Sequence, residues 1–133
     1  MELRILTHGG WGMDMMRGVE MIIGQTPGVQ EIGLSPEMTL DEYTRAVEAS
    51  IEDTTKTYLF LTDLFGGTTT NVGLKVGRAR EIDVICGINA PLLVELCLAV
   101  QTNQPIDIKQ LLRTGQEGLR APSIEMKERM NNE

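Results

Sequence analysis

The chain carries a single histidine, His8, set in Thr7-His8-Gly9-Gly10-Trp11-Gly12 directly after an apolar run. A second loop of related make-up, Asp63-Leu64-Phe65-Gly66-Gly67-Thr68, follows the strand-like run Tyr58-Leu59-Phe60-Leu61-Thr62. An imidazole flanked by a carboxylate has one nitrogen tied as a donor, which fixes the tautomer and leaves the other lone pair free to attack. Gly-Gly steps let backbone close on an anion, and Thr68 adds a hydroxyl at a helix start. His8, Asp63 and Thr68, with the backbone of Gly9, Gly66 and Gly67, therefore describe a site for a small tetrahedral anion, most simply a phosphoryl group resting on His8. Each part has a plainer structural use: loop histidines are usually surface residues, Asp and Gly-Gly are turn formers, and Thr68 can simply cap. The weight lies on their conjunction.

That conjunction depends on the elements around it. Short β-like runs alternate with longer helical segments, which is the pattern of parallel strands joined by crossover helices. Residues 3–7 read as the first strand. Met13, Met16, Val19, Met21, Ile22 and Ile23 form an apolar stripe, read as core, on a helix that ends near Gly24. Residues 29–34 give a second strand, and Thr39-Leu40-Asp41-Glu42 fits a capping box opening a helix over 40–52. The third strand, 58–62, leads into a helix that starts near Thr68 or Thr69, either of which can cap it, and Gly73 and Gly77 within it point to close packing. Residues 82–88 form a fourth strand, Asn89-Ala90-Pro91 opens a helix reaching Gln101, and Asp107 caps a last helix over 108–118. The expected fold is α/β, an open, doubly wound, mainly parallel sheet of four strands with helices on both faces. Ligands in such sheets gather at the carboxyl ends of the strands. If strands one, three and four are neighbours, His8 and Asp63 lie side by side.

Composition narrows the chemistry. With 133 residues and 41% hydrophobic content the chain suits one globular domain. Nineteen acidic residues against 12 basic ones give a net charge of -7, which removes the positive field that nucleic acid or anionic lipid would need. No apolar run approaches the ~20 residues of a membrane span, so no direct membrane insertion is expected. The first residues lack the layout of a secretion signal, and the cytoplasm is the expected compartment. Cys86 and Cys97 sit among apolar neighbours and read as reduced, buried thiols. Gly66-Gly67-Thr68 lacks the lysine of a P-loop, Gly9-Gly10-Trp11-Gly12 is not a dinucleotide fingerprint, and one histidine gives no zinc spacing. The reading is of no metal and no cofactor, with another protein as the natural phosphoryl donor.

On these residues the chain resembles the enzyme IIA component of the mannose-class (mannose, fructose, sorbose) bacterial sugar phosphotransferase system. The likeness runs from Leu3 to about Arg120. It is carried by Thr7-His8-Gly9, by Asp63-Leu64-Phe65-Gly66-Gly67-Thr68, and by Gly87-Ile88-Asn89-Ala90-Pro91-Leu92-Leu93-Val94-Glu95. The resemblance implies that His8 takes a phosphoryl group from the phosphocarrier HPr and passes it to a histidine of a IIB component. IIB phosphorylates the sugar during uptake, with the membrane IIC and IID components involved indirectly. Asp63 matches the carboxylate that orients the histidine, Thr68 stands where many members carry serine, and Thr69 where members often carry proline. Members are homodimers that exchange a C-terminal edge strand, and residues 119–123 would be that strand here, closing a domain over 1–121 before a charged, frayed tail over 122–133. The chain ends soon after, so the likeness is to a stand-alone IIA protein.

Trp11 and Phe65, beside the presumed site, are read as partner-docking residues, and Leu64 equally as core. Two rivals stay open. One is the phosphotransfer subunit of dihydroxyacetone kinase, which shares the architecture and a histidine after strand one. The other is a receiver-like signalling module phosphorylated on Asp63, although the acidic pair that such a module needs after strand one is replaced by Thr7-His8-Gly9.

Overall fold

The computed structural model of the protein describes residues 1–132. Its elements are β1 (Glu2–His8), α1 (Gly12–Ile23), β2 (Val29–Leu34), α2 (Leu40–Ala49), β3 (Tyr58–Thr62), α3 (Thr68–Arg78), β4 (Asp83–Cys86), α4 (Ala90–Gln101), α5 (Ile108–Glu117) and α6 (Pro122–Asn131). The four strands pair in parallel in the order β2-β1-β3-β4.

Alternate residues of a strand face opposite sides of its sheet, and here that alternation divides the core in two. Leu3 and Ile5 of β1, Leu59 and Leu61 of β3 and Ile85 of β4 pack with Met16 and Val19 of α1, Leu93 and Leu96 of α4 and Leu111 of α5. Leu6, Ile32 and Phe60 pack on the other face with Tyr43 and Val47 of α2 and Val72 and Val76 of α3. Both faces are covered, as a parallel sheet requires. The doubly wound order follows.

Local signals set the helix starts. Thr39 Oγ1 accepts from the Glu42 N–H and the Glu42 carboxylate accepts from the Thr39 N–H, each at 3.1 Å, completing the capping box. Asn89 caps α4, with Pro91 in the first turn, and Asp107 caps α5. A methyl group on Gly77 would stand 2.8 Å from the Ile82 carbonyl oxygen, so the close packing expected of α3 is real.

Five expectations need correction. Met21 and Ile22 are 89% and 70% exposed rather than core. At 100° per residue Met21 lies about 140° from Met16, and the apolar stripe of α1 is wider than the face the sheet can cover. α2 stops at Ala49, and β4 is confined to Asp83–Cys86 because Gly87 turns the chain at φ +73°. Residues 119–123 form no strand. Pro122 has no N–H for a ladder and a φ suited to the first helical position, so the chain enters α6 there. The tail expected to fray is thus helical over Pro122–Asn131, with no residue of α6 buried, while its last residue, Glu133, lies outside the described residues. Among the described residues no helix is long and apolar enough to cross a membrane.

Candidate active site

The chain runs from β1 outward to β2 and then back across β1 to β3, so the strand order reverses between β1 and β3. Loops leaving the carboxyl ends of two such strands diverge and open a crevice. His8 closes β1 and Asp63 follows β3, with Leu6 and Thr62 in register just below them. The His8 N–H donates to Asp63 Oδ2 at 2.8 Å, and His8 Nδ1 lies 3.0 Å from Oδ2 and 3.3 Å from Oδ1. Two more donors converge on this carboxylate: the Trp11 indole N–H on Oδ2 at 3.2 Å and the Thr69 hydroxyl on Oδ1 at 2.7 Å.

The Asp63 side chain is only 4% exposed, while that of His8 is 43% exposed. Burial pushes the Asp63 carboxyl up, but the His8 N–H, the Thr69 hydroxyl, the His8 ring and the Trp11 N–H outweigh it and hold the group at about 2. At neutral pH Asp63 is therefore an acceptor only, and the shared proton sits on Nδ1. In the neutral ring Nε2 then keeps an unprotonated lone pair.

Gly67 lets the second loop reach the ring. A Cβ there would stand 3.1 Å from His8 Cε1 and 3.3 Å from the Leu64 carbonyl oxygen. Gly66 turns the loop at φ +79°, a region that disfavours side chains, and Gly9 does the same after His8 at φ +72° while its N–H donates to Leu34 O. Gly67 is the N-cap of α3 and offers no side-chain cap, so neither Thr68 nor Thr69 caps the helix as expected. The Asn71 N–H reaches back to Gly67 O, leaving the first-turn amides of Thr68, Thr69 and Thr70 without intrahelical acceptors. Thr68 is half-buried at the first helical position, and the hydroxyl committed to Asp63 belongs to its neighbour, Thr69.

Sequence reasoning missed Thr69 and the Trp11 indole as partners of Asp63. It also missed Glu31 of β2, which caps α1 from another element. Its carboxylate accepts from the Thr7 hydroxyl and the Gly12 N–H, both at 2.5 Å, and from the Met13 N–H at 3.2 Å. This anchors the segment that carries His8 and occupies the positive end of α1. Gly12 packs closely beneath it: a Cβ there would fall 2.5 Å from Glu31 Oε2 and 2.7 Å from Ile5 Cγ2.

Around His8 the surface is apolar. Trp11, Leu64 and Phe65 are 45%, 60% and 82% exposed, so Leu64 is not core. A cleft of about 360 Å³ beside the ring is lined by His8, Gly9, Leu34, Ser35 and Pro36. Among the described residues no three His, Cys, Asp or Glu side chains converge as metal ligands do. Cys97 is buried and Cys86 half-buried, both as free thiols, and burial pushes the Cys97 thiol up.

The family model described as the PTS system fructose IIA component matches residues 3–112. The chain belongs to this EIIA-man family. This IIA chain is 31% identical over 120 residues to the PTS system mannose-specific EIIAB component of Escherichia coli K12. It aligns over 86% of its own length and spans only 37% of that protein. Among solved structures, the phosphotransferase system component EIIA of Streptococcus agalactiae superposes with a TM-score of 0.82 at 26% identity, covering 92% of this chain and 98% of that one. The PTS IIA protein associated with the fucose utilization operon of Streptococcus pneumoniae gives 0.84 at 24% identity, over 94% and 95% of the two chains, a likeness of fold.

Proposed function

We propose that this IIA chain is a phosphoryl carrier of sugar uptake, in which His8 Nε2 accepts phosphate from phospho-HPr and delivers it to a histidine of the cognate IIB component. The observation that carries this reading is the Nδ1–Oδ2 contact of 3.0 Å between an exposed imidazole and a buried, ionised carboxylate. The Nε2 lone pair attacks the phosphorus of the donor phosphohistidine. The donor's P–N bond breaks, its electron pair leaves with the donor imidazole, and the Nδ1 proton stays with His8 against Asp63. Transfer to IIB reverses the roles.

The transferred group passes through a loose transition state, so positioning and charge stabilisation are the main requirements. The open N-terminus of α3 supplies amides and the positive end of a helix, Thr68 supplies a hydroxyl, and Gly9, Gly66 and Gly67 leave room for the oxygens. These groups account for the chemistry without a cofactor. Trp11 and Phe65 form an apolar rim suited to docking HPr and IIB in turn, and the cytoplasm is where those partners meet it. The IIC and IID membrane components take part only through IIB. A homodimer agrees with the outer edge of β4, which pairs with no strand among the described residues.

The receiver reading fares worse on the geometry, since both Asp63 oxygens are engaged and the side chain is 4% exposed. The kinase-subunit reading is separated by the acceptor. Incubation with phosphoenolpyruvate, the upstream enzyme and HPr should label wild type and not His8→Ala, with a bond lost in acid and stable in alkali. Discharge should go to IIB rather than to a dihydroxyacetone kinase. A label that survives His8→Ala and vanishes in Asp63→Asn overturns the proposal in favour of the receiver.

A further inference from the structure

α3 opens on three consecutive threonines, and a turn of 100° per residue sends their side chains in three directions. The Thr70 hydroxyl donates to Leu64 O at 2.6 Å and accepts from Thr62 Oγ1 at 2.6 Å, closing the Asp63–Gly67 loop onto β3. Thr69 is fully buried, and its hydroxyl goes to Asp63 Oδ1 at 2.7 Å. We propose that Thr69 is a positioning residue for phosphoryl transfer, its hydroxyl fixing the plane of the Asp63 carboxylate so that Oδ2 stays aimed at His8 Nδ1. This rests on the carrier reading above.

The donors are divided unequally between the two carboxylate oxygens. Oδ2 receives the His8 N–H, the His8 ring and the Trp11 indole, all from the β1 side, at 2.8, 3.0 and 3.2 Å. Oδ1 has one short partner, Thr69, and otherwise only the 3.3 Å approach of Nδ1. The terminal torsion of an aspartate is soft and broadly two-fold, so it does not hold the plane by itself. Without the Thr69 hydroxyl, Oδ1 would be buried and poorly satisfied, and the carboxylate would turn to share the β1 donors between its oxygens. That rotation moves Oδ2 off the line of Nδ1 and frees the imidazole to tilt. Phosphoryl uptake and discharge both depend on the aim of Nε2, so both should slow. The titratable groups that bear on Asp63 are His8 from β1 and, through its field, Tyr43 from α2, which donates to Ile32 O and is untouched by a change at position 69.

The test compares Thr69→Val, which keeps the shape and removes the hydroxyl, with Thr69→Ser, which keeps the hydroxyl. Rapid-quench transfer from phospho-HPr and discharge to IIB are measured together with the Asp63 carboxyl titration, followed by carbon NMR of the unphosphorylated protein. Thr69→Val should still be labelled on His8, with both rates down roughly tenfold and the Asp63 midpoint up by about one unit. Thr69→Ser should stay within about twofold of wild type in rate. An unchanged midpoint and rate in Thr69→Val, or a serine variant as slow as the valine one, overturns the proposal. If Thr69→Val does not fold, Thr69→Ala carries the same readouts. If wild type takes no phosphate from HPr, the carrier reading fails, while the carboxyl titration still decides whether Thr69 holds Asp63.

Discussion

Replacing Asp63 by asparagine removes one charge and almost no volume. Five donor contacts meet the carboxylate, three of them on Oδ2, so the amide should settle with its oxygen in the Oδ2 place. Its NH2 then faces Thr69, whose hydroxyl can turn and accept. The hydrogen bond to Nδ1 survives in neutral form, and the attraction to the positive charge that develops on the ring is lost. At the 3.0 Å separation of Nδ1 and Oδ2, and with His8 43% exposed, an effective dielectric of about 40 gives that attraction about 3 kcal/mol. A neutral hydrogen bond keeps about 1 kcal/mol of it. The net loss of about 2 kcal/mol predicts transfer from phospho-HPr slowed roughly 30-fold, with His8 still the labelled residue. Single-turnover quench kinetics on Asp63→Asn measure this directly. A rate within twofold of wild type would remove Asp63 from the mechanism, and loss of all labelling would mean that Asp63 does more than orient the ring.

The same carboxylate should shape acid stability. Its value falls from the ordinary 3.8 to about 2 on folding, so the unfolded chain binds more protons between those limits. About 2 kcal/mol of stability is therefore present above pH 4 and lost as the pH drops to 2. Urea midpoints across that window should fall more steeply in wild type than in Asp63→Asn, and equal slopes would contradict the assignment. Gly67→Ala, at an ordinary φ of -82° but with a Cβ 3.1 Å from His8 Cε1, should slow labelling while leaving the melting temperature nearly unchanged. Gly66→Ala, at φ +79° with open space around it, should cost about 1 kcal/mol by chemical denaturation. Glu31→Ala strips the acceptor from the Thr7 hydroxyl and two α1 amides, and should destabilise the protein by about 2 kcal/mol in the same assay.

What the sequence made legible was local. The alternation in Leu3-Arg4-Ile5-Leu6 and Leu59-Phe60-Leu61, the Thr39 capping box and the Asn89 and Asp107 caps are each written within a few residues, and each appears in the structure. The meeting of His8 and Asp63 follows from the order of parallel strands, which the alternation of strand and helix allows and the structure fixes as β2-β1-β3-β4. Interactions between distant elements left no such trace. Glu31 reads as an ordinary strand glutamate until β2 pairs with β1 and brings it under Gly12. Which of three adjacent threonines meets Asp63 depends on where the first turn of α3 begins, and Gly67 took the capping position that a threonine was expected to fill. The exposure of Met21 and Ile22 depends on how much of α1 the sheet can cover, and the helix at Pro122 depends on the partner a strand would need.

Nitrogen and phosphorus NMR of the 15N-labelled protein, phosphorylated through HPr, reads which ring nitrogen of His8 is bonded to phosphorus. The geometry predicts phosphorus on Nε2, with Nδ1 still protonated and held by Asp63. Phosphorus on Nδ1, or an acyl phosphate on Asp63, would contradict it.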